Sequence, residues 1–123
     1  MPLPASQLDA QALQRLRELD PSGTSRLVER VFKAFATSVA RLLPQLDAAQ
    51  AGGDAAGIRH VAHTLKSSSA SIGAVKLSRL CAEMEALAGQ GRIDGMEQRI
   101  ATLNEEVSTV LEALQETPAN PGS

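Results

Sequence analysis

Six apolar residues toward the C-terminal end, Met96, Ile100, Leu103, Val107, Val110 and Leu114, recur at alternating steps of four and three. Over about three heptads, that spacing keeps one apolar stripe along one side of a helix, which can be buried only lengthwise against other helices. The chain offers suitable partners. Leu27, Val28, Val31, Phe32, Phe35, Val39, Leu42, Leu43 and Leu46 repeat at helical steps, as do Ile58, Val61, Ala62, Leu65, Ser69 and Ile72, and then Leu77, Leu80, Cys81, Met84 and Leu87. No strand pattern of period two and no internal repeat interrupts them. The predicted fold is all-α, an antiparallel four-helix bundle with an additional short N-terminal helix laid against it.

Composition agrees with this reading. Phe32 and Phe35 are the only aromatic residues in a chain of 123, so the core must be made of Leu, Val, Ile, Met and Ala, which favours helices meeting closely. The same lack removes the stacking platforms of single-strand binders, and a formal net charge of -2 with a pI near 5.6 argues against a nucleic-acid partner. Cys81, the single cysteine, can form no internal disulfide, the opening MPLPASQLDA lacks the pattern of a signal peptide, and no run of about 18 apolar residues occurs. A cytoplasmic monomer without direct membrane contact is expected, although the chain could be a detached part of a membrane-anchored one.

Breakers divide the chain. Residues 1–5 read as an extended lead-in, 6–116 as one helical domain, and 117–123, TPANPGS, as a linker-like or disordered tail. Ser6 is a candidate cap for a first helix to which Leu8, Leu13, Leu16 and Leu19 contribute contacts, and Asp20-Pro21-Ser22-Gly23 ends it. Thr24 or Ser25 then opens the long run, with Pro44 predicting a kink near Ala40–Pro44 or two helices nearly in line. Asp54 caps the third helix, which extends to about Ser71, with Gly73 marking a bend or a close helix approach. A fourth runs from about Ala74 to Ala88, and Asp94 caps the last, with Glu97 at the capping-box position.

The stretch His63–Ala74, HTLKSSSASIGA, is where chemistry concentrates. At about 100° per residue, His63 projects some 140° from Ile58 and so points to solvent. Its outward neighbours are Ala56, Arg59, His60, Lys66, Ser67 and Ala70, half of them small, which makes a landing surface rather than a pocket. No Asp or Glu occurs from Ala55 to Ala82, whereas Arg59, Lys66, Lys76 and Arg79 do, so a local basic patch is expected to suit an acidic or phosphorylated partner.

A solvent-facing histidine admits several readings. It can be an inert surface residue. A metal site of His60 and His63 has the right spacing, but Cys81 faces the core and no carboxylate is near in sequence. A Ser–His hydrolase would need an orienting carboxylate and an oxyanion site, neither of which is evident. The fourth reading is nucleophilic catalysis, in which the neutral imidazole takes up a phosphoryl group and later gives it away, with Lys66 one turn along offering charge to the phosphoryl oxygens.

Ala62-His63-Thr64-Leu65-Lys66, Ser68-Ser69-Ala70, Ile72-Gly73-Ala74, and Leu80-Cys81 through Met84-Glu85 together resemble the histidine-containing phosphotransfer family of multistep phosphorelays, over about Ser25 to Leu114. The resemblance implies a four-helix bundle without kinase activity of its own, which carries a phosphoryl group between the aspartates of two receiver domains. It makes His63 the phosphoacceptor and Lys66 the cation that steadies the phosphoryl group. Ser67 stands where the family most often has glycine. Ser68 matches a small polar position near the imidazole, and Glu85 lies where some relatives have a glutamine that orients the ring. Ala56, Arg59, His60, Ser67 and Ala70 would form the receiver-docking face. The implied partners are receiver domains of response regulators or of a hybrid histidine kinase, with Mg²⁺ supplied by the receiver and no metal or cofactor bound here. Two rivals remain: a docking bundle of the same fold that transfers nothing, and the C-terminal module of a hybrid sensor kinase.

Overall fold

The computed structural model describes residues 8–23 and 26–116. Five helices follow one another: α1 (Ala10–Leu19), α2 (Leu27–Ala51), α3 (Ala55–Ser71), α4 (Val75–Gly89) and α5 (Met96–Glu116). The last four pack in a ring, with α3 against α2 and α4, and α5 closing between α4 and α2, while α1 lies on α2. No strand occurs among the described residues.

The stripes read from the sequence make the core. All six of the α5 residues are buried, as are Val28, Phe35, Val39, Leu42 and Leu46 of α2. The predicted set of Ile58, Val61, Ala62, Leu65 and Ser69 in α3, with Ile72 at its C-cap, is buried completely. Each large aliphatic side chain taken out of water in this way contributes about 2 kcal/mol. This burial also fixes the rotation of α3 about its axis, and with it the face that carries His63. Leu80 and Leu87 of α4 are half-buried at the edge of the core rather than within it.

The caps differ in part from expectation. Asp54 caps α3 as predicted, its Oδ1 accepting from the Gly57 N–H at 3.0 Å. Helix α1 begins at Ala10 with Asp9 as its cap, Oδ1 accepting from Gln11 N–H at 3.1 Å. The lead-in 1–5, the Ser6 cap, the Thr24 or Ser25 start and the tail 117–123 lie outside the described residues. Leu19 is 75% exposed, because six residues beyond Leu13 it has rotated off the face that meets α2. Helix α2 passes through Pro44 without dividing in two. Pro44 and Ala40 are both exposed, so water can satisfy the Ala40 carbonyl that a proline leaves without a donor. Helix α5 starts at Met96 with Asp94 in the preceding turn, and the Gly95 carbonyl accepts from Arg99 N–H. Glu97 accepts from the Gln50 side-chain amide at 3.1 Å instead of closing a capping box.

Gly73 shapes the α3–α4 turn as a point of close approach. Its φ is +78°, and its carbonyl accepts from Asp9 N–H at 2.6 Å. A Cβ there would lie 2.8 Å from Asp9 N and 2.9 Å from Asp9 O. Only glycine meets both conditions, and the backbone leading into α1 is thereby seated on the turn.

Candidate functional site

Helices α3 and α4 form an antiparallel pair about that turn, and residues equidistant from Ala74 face each other. His63 and Glu85 lie eleven residues before and after Ala74, Arg59 and Gly89 fifteen before and after. The face of α3 beside α4 therefore presents Arg59, His63 and Lys66 along one seam.

Glu85 is the junction of that seam. Its Oε2 is 2.6 Å from His63 Nδ1, and its Oε1 accepts from Lys66 Nζ at 2.5 Å. The glutamate side chain is 19% exposed, whereas the imidazole is 60% exposed. The hydrogen bond from the Lys66 ammonium, and then the one from His63, hold the Glu85 carboxyl below the usual carboxylate range. An ionised carboxylate only accepts, so Nδ1 carries the proton, and in the neutral ring the lone pair is on Nε2. Among the described residues Nε2 has no hydrogen-bond partner. Ser78 of α4 adds a further tie, its hydroxyl donating to the Lys66 carbonyl at 3.2 Å.

The other predicted residues are distributed as follows. Ala56, Arg59, His60, Ser67 and Ala70 are all exposed on the outer side of α3. Ser68 turns toward α2, where it lines a shallow groove with Val31, Ala34, Phe35, Ser38, Ser71 and Ile72. Five residues past His63 it sits about 140° around the helix, and the side chain that meets the imidazole is that of Glu85. His60 borders a second hollow with Gln45, Ala48, Gly52 and Asp54.

Two of the four cations of the basic run are paired in space, while Arg59 and Arg79 have no carboxylate partner among the described residues. Lys66 is paired with Glu85, and Lys76 lies 3.6 Å from Glu106 of α5, so carboxylates from other helices fill the gap between Ala55 and Ala82. Cys81 is fully buried, and burial pushes its thiol up to about 12. Among the described residues no three of His, Cys, Asp and Glu converge to hold a metal, and no helix is long and apolar enough to cross a membrane.

An exposed imidazole with a fixed proton, on a surface of small side chains, is chemistry of a recognisable kind. A comparison with curated protein sequences gave no match. Among solved structures, the chain is similar to histidine-containing phosphotransfer protein B (HptB) from Pseudomonas aeruginosa PAO1. The two are 28% identical over 89% of this chain and 92% of that one, with a TM-score of 0.81. The family model for the Hpt domain matches residues 30–117, which contain His63 and all of α3, α4 and α5. The match spans most of the bundle, and with the shared fold it supports a histidine phosphotransfer role in phosphorelays, where Hpt domains meet receiver domains: this chain belongs to the Hpt domain family.

Proposed function

We propose that His63 accepts a phosphoryl group from a receiver-domain aspartate and passes it to a second receiver. The observation that carries this reading is the 2.6 Å contact of Nδ1 with Glu85, which leaves Nε2 the exposed nucleophile. In the forward step, the Nε2 lone pair attacks phosphorus, the N–P bond forms, the acyl P–O bond breaks, and its electron pair leaves with the aspartate carboxylate. The ring proton stays on Nδ1 throughout. The phosphorylated ring is then a cation held against the Glu85 carboxylate, and the reverse step restores the neutral ring without a proton having to move. Lys66 fixes the carboxylate, which in turn fixes the ring. Mg²⁺ bound by the receiver would neutralise phosphoryl charge, and this chain would contribute orientation and a complementary surface. Ala56, His60, Ser67 and Ala70 supply the low relief over which a receiver can close.

The test is to incubate the protein with a phosphorylated receiver and Mg²⁺, then assay it for phosphate that is labile in acid and stable in base. The wild type should carry it and His63→Gln should not, while circular dichroism of the mutant stays unchanged, since an exposed site alters stability by about 0.5 kcal/mol. Receivers that bind without passing on any label would make the chain a docking bundle instead.

A further inference from the structure

The positive charges along the α3–α4 seam are not equivalent. Lys66 is engaged by Glu85, and Lys76 by Glu106. Arg59 stands one helical turn before His63 on the same exposed strip, and among the described residues it pairs with no carboxylate. Its side chain lies across α4 at Gly89: Nε and Cδ are 3.7 and 3.8 Å from the place a Cβ on Gly89 would take. The arginine stem therefore lies against α4 at Gly89, one helical turn from Glu85 along that helix. Because the Glu85 carboxylate and the Lys66 ammonium offset each other, Arg59 is the cation within one helical turn of His63 on α3 that has no carboxylate partner among the described residues. Residues four apart on a helix have Cβ atoms about 6 Å apart, a gap that an arginine spans by side-chain torsion alone.

We propose that Arg59 is a catalytic cation of the transfer, its guanidinium donating hydrogen bonds to non-bridging phosphoryl oxygens as the group moves between a receiver aspartate and His63 Nε2. The inference rests on the reading of His63 as acceptor. A planar guanidinium presents two parallel N–H groups that match a pair of phosphoryl oxygens. It is also free to move, whereas Lys66 would have to leave Glu85 and loosen the ring it helps to orient. The donor and acceptor bonds of the step are unchanged. Arg59 offsets the negative charge that the phosphoryl group brings toward the seam.

The phosphorylated protein itself reports on this contact. Wild type, Arg59→Ala, Arg59→Lys and Lys66→Ala would be labelled from a phosphorylated receiver with Mg²⁺, separated from it, and titrated by ³¹P NMR. A free cation on the phosphoryl oxygens lowers their second ionisation. Arg59→Ala should therefore raise it by about half a pH unit or more, Arg59→Lys should fall between, and Lys66→Ala should move it less than Arg59→Ala. The rate of transfer to Arg59→Ala should drop about tenfold, the size expected for one charge-assisted contact at an exposed site. A variant labelled too slowly to isolate supports the same conclusion if its helix content is that of the wild type. An unchanged titration in Arg59→Ala overturns the proposal, as does a larger displacement in Lys66→Ala. Failure to label the wild type would instead remove the acceptor role of His63, and this inference with it.

Discussion

Helix α3 has two flanks, and they are unlike. Toward α4, His63 and Lys66 converge on one carboxylate, with the Ser78 hydroxyl tying the backbone alongside. Toward α2, small hydroxyls and aliphatic carbons line shallow hollows. His60 and His63 make the contrast sharp: the same residue type, three positions apart on one helix, both exposed. One meets Glu85 and has a fixed proton, while the other borders a hollow. What separates them is which neighbouring helix lies alongside, so the reactive character of an exposed side chain is supplied from across the seam.

The strongest way to break this comparison, after removal of His63 itself, is to remove the junction. Glu85→Ala should lower the rate of phosphoryl acceptance some tenfold to a hundredfold, within the range for loss of a positioned hydrogen-bond partner. Glu85→Gln should retain most of the rate, because its amide oxygen can still accept from Nδ1. Nitrogen chemical shifts of the ring should show the Nδ1–H tautomer in wild type and Glu85→Gln, and a mixture in Glu85→Ala. Equal rates in all three would mean that the α4 flank does not prepare the imidazole, leaving His63 and His60 alike in chemistry.

How far the sequence reveals this arrangement follows from the range over which each signal acts. The rotation of α3, and hence the exposure of His63, comes from a local period: six buried residues fix the axis, and the rest of the circumference is determined. The Asp54 cap is equally local. Glu85 is different, because 22 residues separate it from His63 and a glutamate on an amphipathic helix is as well suited to solvent as to a partner. One signal could have decided it: an antiparallel helix pair hinged near Gly73 places Glu85 opposite His63 and Gly89 opposite Arg59. The basic run is reduced to Arg59 and Arg79 for the same reason, since Glu85 and Glu106 reach Lys66 and Lys76 from helices distant in sequence. Ser68 is misplaced by analogy with its position in the motif, against the rotation that the periodicity already implies.

A smaller effect separates the flanks through pH. Glu85 is held below the ordinary carboxylate range, chiefly by Lys66 and then by His63. A carboxylate so depressed contributes its stabilisation fully above the ordinary value, and that contribution is lost as pH falls through the depressed one. The His63–Glu85–Lys66 junction should thus stay intact from neutral pH down past about 4.5, the ordinary value, and open only in stronger acid. Lys66→Ala removes the largest cause, so it should move that opening toward higher pH. Side-chain carboxyl shifts of Glu85 against pH, in the two proteins, would read it. A midpoint that does not move would show that the ammonium is not what holds the carboxylate ionised.

The smallest effect is expected on the α2 flank. His60→Gln removes an imidazole that is exposed and three residues from the acceptor, so any contribution through the bulk charge of the helix would be screened by solvent and salt. Its backbone carbonyl, which accepts from the Thr64 hydroxyl at 3.1 Å, is retained by the substitution. The rate of phosphoryl acceptance should stay within about twofold of wild type, the scatter of a neutral surface change. The saturating rate, measured apart from the half-saturating receiver concentration, makes the test specific. A change confined to the latter would give His60 a place at the edge of the docking face and leave the comparison standing. A fall in the saturating rate comparable to that of Glu85→Ala would mean that a histidine with no carboxylate partner among the described residues shapes the reaction as strongly as one that has it. The α4 seam would then no longer account for what distinguishes His63.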